Sequence, residues 1–306
     1  MAIVTVPLLN SLRTGFHRNF QTGLDGAEPQ FMRICSVLPS SAAIETYGWL
    51  GQWPGFREWI GERQHKSMKE KAYQIANKSF ESSVSVPKTE IEDETLGMYG
   101  VMFQESGRAT KMFPDEFMFP LLLEGESTPC YDGQFFFDTD HPVNAEVDGS
   151  GADESVSNLI VDPAYTGDTW YVMCTNRPLK PLIYQDRKKP QFVAMTKIDD
   201  ESVYTENEFR YGIDLRAGKG FGFWQMAIAV KAEMNSDNLW KAIELMKSYK
   251  ADGGRKLSLK PDLVLAPSSL EKKATQLMTR EFTNEGGAAI DNELKGKLDL
   301  LVAEQL

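Results

Sequence analysis

The 306-residue sequence is short of the residues that most often carry metal and redox chemistry, with three cysteines and three histidines. Cys35, Cys130 and Cys174 are odd in number and widely spaced. They form no CxxC pair, which excludes a disulfide ladder and fits a reducing compartment. No run of about 18 apolar residues occurs, so no membrane span is expected. The opening MAIVTVPLLNSLRTGF lacks a charged start followed by a long apolar core, and no signal peptide is expected. Basic charge is also scarce. Lys and Arg number 33 against 44 Asp and Glu, a formal charge of −11. A protein that grips phosphates needs a basic face. The balance argues against a DNA reader, but not against a container whose lining should not stick to DNA. Internal repeats, low-complexity tracts, HExxH, EF-hand and GxSxG motifs are all missing.

What remains is globular. The chain is 42% hydrophobic and 25% charged, neither disordered nor fibrous. A compact monomer of this size buries roughly three quarters of its unfolded surface, enough for one or two domains.

Leu8, Leu9, Leu12, Phe16 and Phe20 recur at helical spacing and predict a short amphipathic helix, broken by Gly23, Gly26 and Pro29. Strands are expected at Thr46–Trp49 and Tyr73–Val86, where KSFESSVSV alternates as a half-buried strand does. Between them lies GQWPGFREWIGERQHKSMKEK. Trp53, Phe56 and Trp59 come first, then a basic stretch. From 61 to 78, Arg63, Lys66, Lys69, Lys71 and Lys78 oppose Glu62 and Glu70, a local charge of +3. A loop of this length without a core of its own is usually functional. Thr89-Glu-Ile-Glu92 fits a capping box. Leu96, Tyr99, Phe103 and Met112/Phe113 then mark the apolar face of a long helix. Pro114 is placed to open a second helical segment, Pro120 to kink it, and Gly125 to stop it.

Further on, Gln134–Phe137 reads as a short strand and 144–168 as a surface loop. Strands are expected at Trp170–Cys174, Glu208–Leu215, Phe221–Val230, 261–266 and Leu298–Val302. Helices are expected after Ser236 or Asp237, with Leu239, Trp240, Ile243 and Met246 on one face, and after the capping box Ser268–Glu271. The class is α+β.

Candidate chemistry is sparse. Asp138-Thr-Asp140-His141 offers two carboxylates and an imidazole and is the one candidate for a metal-dependent hydrolase. The plainer reading is a polar turn closed by Pro142. Gly218-Lys-Gly220-Phe-Gly222 lacks the Ser or Thr of a phosphate loop and reads as a tight turn where backbones approach closely. Cys174 reads as buried filler, and His65 as a solvated loop residue. Trp49, Trp53 and Trp59 suit a core by default. Because they flank a projecting loop, contact with a neighbouring subunit is the sharper expectation.

Longer stretches carry a resemblance. YGWLGQWPGFREWIG (47–61), AYQIANKSFE (72–81), IEDETLGMYG (91–100) and FQESGRA (103–109) resemble the Mu-like phage major head subunit family. So do CYDGQFFFDTDHP (130–142), GFGFWQMAIAVK (220–231) and KGKLDLLVAEQL (295–306). They run in order over nearly the whole chain, which is therefore expected to be complete. The resemblance implies the Hong Kong 97-type phage major capsid fold. Its expected parts are an N-terminal arm (1–40), an extended β-hairpin loop or E-loop (41–86), a peripheral domain with a long spine helix (87–169; helix about 95–125), an axial domain (170–290) and a C-terminal strand returning to the peripheral domain (291–306). Pro120 departs from the family pattern and puts the straightness of the spine helix in question.

The implied function is self-assembly into hexamers and pentamers of an icosahedral shell around double-stranded DNA. This places the chain in the virion, assembled in the host cytoplasm, with no membrane, catalytic residue, metal or cofactor. Expected partners are further copies of the chain, a scaffolding protein, a portal, a decoration protein and nonspecifically contacted DNA. The expected contact residues are Trp49, Trp53, Phe56, Trp59, Arg63, Lys66, Lys69 and Lys71 on the loop. Glu90, Glu92, Asp93 and Glu94 at the start of the spine helix are their acidic counterpart. Some relatives on this fold cross-link Lys to Asn, but no motif assigns such a pair here. The alternatives are the shell of a cellular nanocompartment on the same fold, and a hydrolase using Asp138, Asp140 and His141.

Overall fold

The structure, a computed structural model, describes residues 5–51, 53, 73–93, 97–147, 149–197, 199–285 and 288–306. Helix α1 (Val6–Asp25) starts where Thr5 Oγ1 accepts from the Leu8 N–H at 3.4 Å. Pro7 lies in its first turn, where a missing N–H costs nothing. It runs past the expected stop at Gly23, because that glycine is a packing position. A Cβ there would lie 1.8 Å from the Gln104 carbonyl oxygen. Strands β1 (Cys35–Pro39), β2 (Ile44–Tyr47), β3 (Tyr73–Ala76) and β4 (Lys78–Pro87) follow. β2 and β3 pair antiparallel from Ile44↔Ala76 to Tyr47↔Tyr73.

Helix α2 (Lys88–Glu92) begins at Pro87, with no side-chain cap. The expected capping box at Thr89 therefore does not form. Pro87, at φ −59°, starts the helix and puts Thr89 inside the first turn. Helix α3 (Gly97–Met118) contains Pro114 in its interior, so this proline opens no new segment. Tertiary contacts hold the helix through it. Asp115, beside the proline, accepts the backbone N–H groups of Gln30 and Phe31, and Phe113 and Phe117 pack on Phe80. α3 ends at Met118, two residues before Pro120, and passes into a 3-10 turn over Phe119–Glu126.

The expected strand at Gln134–Phe137 reduces to a single bridge, Pro129↔Phe135. Phe136 and Phe137 are both buried, an arrangement that a one-sided strand cannot provide. The polar turn and surface loop read after Asp138 contain a hairpin of β5 (His141–Asn144) and β6 (Asp153–Val156), and then β7 (Leu159–Val161). β8 (Trp170–Met173) precedes β9 (Leu182–Met195), which the sequence pattern did not reveal. Its QDRKKP stretch breaks the alternation, and Pro190 falls at a bulge where β9 and the next strand change register.

After α4 (Glu201–Glu206), β10 (Glu208–Phe221) runs unbroken through Gly218 and Gly220, so no turn exists there. Close backbone approach does: a Cβ on Gly222 would lie 2.6 Å from the Lys180 carbonyl oxygen. The remaining elements are β11 (Ala227–Lys231), α5 (Ser236–Ser248), β12 (Leu263–Pro267), α6 (Glu271–Thr279), β13 (Phe282–Glu285), β14 (Ala288–Asp291) and β15 (Asp299–Ala303). Asn235, not Ser236 or Asp237, caps α5, its side chain accepting from the Asn238 N–H.

Two sheets organise the molecule. The four-stranded sheet has the order β1-β9-β10-β4, and the five-stranded sheet the order β15-β12-β8-β11-β7. Helices α1 and α3 pack together, and their apolar faces join the first sheet in one cluster that includes Leu9, Phe16, Phe103, Val86, Phe209 and Tyr211. Phe16 stacks on Phe103 at 4.4 Å. Burying side chains of this size stabilises by about 1.5–3 kcal/mol each. In the second sheet every residue of β8 and β12 is buried, and α5 and α6 pack against it.

Both sheets draw strands from across the expected boundaries. The five-stranded sheet has β7, from within 87–169, at one edge and the last strand at the other. β15 pairs parallel with β12, from Leu263↔Asp299 to Pro267↔Ala303. The stretch 170–290 contributes strands to both sheets. Within it, β9 and β10 pair with β1 and β4 on the helix-covered sheet. Strands are recruited by register and by buried faces, not by nearness in sequence.

Candidate functional site

Surfaces for assembly start with the aromatics at the β2–β3 hairpin. Trp49 is 41% exposed and meets only the edge of Tyr47, at 5.9 Å, among the ring contacts of the described residues. Trp53 is taken up by its own chain. It packs on Phe223 at 4.2 Å, and the Arg177 guanidinium lies 5.5 Å over its ring. Phe56, Trp59, Arg63, Lys66, Lys69, Lys71 and Glu94 lie outside the described residues. At the base of the hairpin, Glu45 Oε1 accepts from the N–H groups of Ser41 and Ala42 and from Ser40 Oγ. The backbone bonds from Ala42 and Ser41, then the Ser40 hydroxyl, hold its carboxyl below the usual range.

Glu90 and Glu92 lie on α2, with Asp93 as its C-cap. Glu90 also hydrogen-bonds Tyr99. Burial, and then that bond and the Glu90 charge, push the Tyr99 hydroxyl up to about 12. The acidic cluster is therefore partly engaged within the subunit, which the charge pattern alone did not reveal.

A further surface was missed in the sequence. On β10 the residues facing α1 and α3 are buried, and the alternate ones are not. The second face is uncovered. Gly212 sits between Val193 and Ser83, and Arg210 between Met195 and Ser85. Val193 is 55% and Met195 45% exposed. Ion pairs Lys188–Asp214 and Arg210–Glu206 accompany them. The signal was present in the alternation EFRYGIDLR, which reads as a half-buried strand. Its partner β9 was the part that could not be read.

The Asp138/Asp140/His141 candidate does not assemble as a catalytic group. Asp138 bonds the N–H groups of Phe135 and Thr139, and Asp140 is solvent-facing. The hydrogen bond between these two carboxyls raises the Asp140 pKa. His141 is fully buried and turned inward. Its ring stacks on Trp224 at 4.1 Å and 10°. Its Nδ1 lies 2.8 Å from Asp132 Oδ2, and Cys130 Sγ donates to Asp132 Oδ1 at 3.0 Å. Burial pushes the Asp132 carboxyl up, but the bond and charge of His141, helped by Cys130 and the Gln134 N–H, leave it net lowered. Cys130 is raised, by burial first and then by the Asp132 charge. Cys174 is buried, as expected of filler. Among the described residues no helix is long and apolar enough to cross a membrane.

The chain is a mixed α+β subunit in which a long helix backs one face of a sheet whose other face carries exposed Val193 and Met195. Comparison with known proteins identifies the class as phage capsid subunits. The chain is similar to the procapsid subunit of bacteriophage JBD30, with a TM-score of 0.87 at 46% identity, over 99% of this chain and 100% of that one. It is 46% identical to the major capsid protein of Escherichia phage Mu over 304 residues, 99% of this chain and 100% of the relative. It is 45% identical to the Mu-like prophage FluMu major head subunit of Haemophilus influenzae over 311 residues, covering both chains fully. Residues 9–306 match the family model of the Mu-like prophage major head subunit gpT. The chain belongs to that family.

Proposed function

We infer that this chain is the major capsid protein of a Mu-like phage or prophage head, the repeating subunit of a closed protein shell. The observation that carries this is the full-length match to a procapsid subunit, with both sheets included. The fold is the Hong Kong 97-type capsid fold, the chain is homo-oligomeric in the shell, and its place is the virion. The family is a structural one, and no catalytic role is assigned.

Finer parts of the reading are proposals. The arm is 1–40 and the E-loop 41–86, based on the β2–β3 hairpin. The sheet pairing supports a peripheral unit of 87–169, apart from β7, that also takes in β4, β9 and β10. It supports an axial unit built on the five-stranded sheet, with 291–306 belonging to it. Hexamers and pentamers, a scaffolding protein, a portal, a decoration protein and nonspecific DNA contact complete the proposed assembly.

Between subunits, Arg63, Lys66, Lys69 and Lys71 of one E-loop meet Glu92, Asp93 and Glu94 of a neighbour. Phe56, Trp59 and the exposed Trp49 supply the apolar contact. Each exposed ion pair is worth about 0–1 kcal/mol, so the effect depends on repetition over many interfaces. Co-expression with scaffold followed by negative-stain microscopy tests the reading. Closed shells or capsomer-sized rings are expected. Reversal of Lys66, Lys69 and Lys71 to Glu is expected to abolish shells while the subunit stays folded. Normal shells from that variant would falsify the charge pairing, and a persistent monomer of the native chain overturns the capsid function itself.

A further inference from the structure

His141 was the only histidine in the candidate catalytic group, and the structure gives it different partners. Cys130, Asp132 and His141 each point one ligand atom inward, and these atoms lie within 4.8 Å of one another. The trio is enclosed: Cys130 is 5% exposed, His141 is fully buried, and the side chain of Asp132 is nearly so. Trp224, stacked on the imidazole, fixes the ring plane. Tyr131, between two of the three, donates its hydroxyl to Gln225 Oε1 at 3.0 Å. The backbone around the trio is locked by the Cys130 N–H to Gln134 O and the Gly133 N–H to Cys130 O.

Two features distinguish this trio from an ordinary polar turn. The thiol and the imidazole converge on the two oxygens of one carboxylate, at 3.0 and 2.8 Å. Thiolate, imidazole and carboxylate together supply three of the four donors of a tetrahedral zinc site. Soft sulfur with borderline nitrogen selects a late first-row dication over magnesium or calcium. The charge also balances. A dication with one thiolate and one carboxylate is neutral, which suits a buried site, where an unpaired charge is costly. The second feature is enclosure: the imidazole lies flat against Trp224 at 4.1 Å, and the thiol is held among buried residues.

We propose that Cys130, Asp132 and His141 form a transition-metal site, occupied by zinc, that pins the 130–141 loop beneath Trp224. Cys130 Sγ, one Asp132 oxygen and His141 Nδ1 are the ligands, and a water takes the fourth position. Binding releases the thiol proton and moves the imidazole proton from Nδ1 to Nε2, so metal uptake is proton-linked. Asp138 and Asp140 are not ligands.

The test uses the full chain as purified, both as free subunit and as assembled shell. Elemental analysis after dialysis against metal-free buffer is expected to find about one zinc per chain. Chain produced in cobalt-supplemented medium is expected to show a thiolate-to-cobalt band in the near ultraviolet and tetrahedral d–d bands in the visible. Cys130→Ser and His141→Asn should lose the metal, whereas Asp138→Asn and Asp140→Asn keep it. A folded native chain with no stoichiometric metal and no cobalt band overturns the proposal and leaves the trio a hydrogen-bonded lock. Metal retained in folded Cys130→Ser and His141→Asn also overturns it, by placing the ion elsewhere. Because the measurements on the native chain need no variant, misfolding of a variant cannot rescue the idea.

Discussion

In the five-stranded sheet every residue of β8 and β12 is buried, whereas in the four-stranded sheet β10 alternates between half-buried and buried residues from Glu208 to Ala217, and β9 is mostly exposed from Lys189 on. The centre of the five-stranded sheet is closed by its own chain. The four-stranded sheet is covered by α1 and α3 on one side and presents Val193, Gly212 and Met195 with flanking charge on the other. Strands buried on both faces read as continuous apolar runs, and half-buried strands alternate. The contrast teaches where stability resides. The sealed sheet holds the subunit together, and the open one leaves apolar surface at Val193 and Met195 that the described residues do not cover.

The largest expected effect breaks the sealed side. Leu265→Ala empties a fully buried position on β12 between Tyr171 and Leu301 and should cost about 2–5 kcal/mol, read as a fall in the urea midpoint. Next is the helix pair above the open sheet. Gly107→Ala puts a Cβ 2.0 Å from the Phe20 carbonyl oxygen. Backbone must move, at a cost of about 1–3 kcal/mol. Hydrogen exchange should locate the loss in α1 and α3 and spare β12; equal loss in β12 would mean that the two sheets are not separable in stability.

A smaller effect on the subunit is expected on the open face itself. The double change Val193→Ser with Met195→Ser should leave monomer stability within about 0.5 kcal/mol while lowering shell yield by microscopy. A large drop in monomer stability would show that this face is not open. The smallest effect concerns the hairpin base. Glu45 has a lowered folded pKa, so its stabilising contribution is present above the unfolded value, about 4.3. That contribution fades as pH falls through the lower folded value. Glu45→Gln should therefore lose stability at neutral pH and match the native chain in strong acid, measured as melting temperature against pH.

Much of this was legible in the order of residues. The apolar faces of α1, α3, α5 and α6 follow helical spacing, and β4, β8 and β12 follow strand rules, because local periodicity reports which face is covered. The family motifs identified the shell subunit. The candidate site was less legible. His141 was seen beside Asp138 and Asp140, its neighbours in sequence. Its partners are Asp132, nine residues back, and Cys130, held across a turn that no short pattern marks. β9 was hidden because bulges and Pro190 disturb its alternation. Gly23 read as a break, since a glycine in sequence does not say whether it ends a helix or lets another backbone approach.

The sequence by itself determined the α+β class, most elements, the family and the charge asymmetry between the acidic chain and its basic loop. Those follow from local spacing and composition. Only the tertiary structure decided that β15 joins β12, that β9 and β10 belong with β1 and β4, that one sheet face stays open, and that His141 turns inward to Cys130 and Asp132. These depend on register and on burial against residues far along the chain, and such long-range pairing leaves no mark in any short window of sequence.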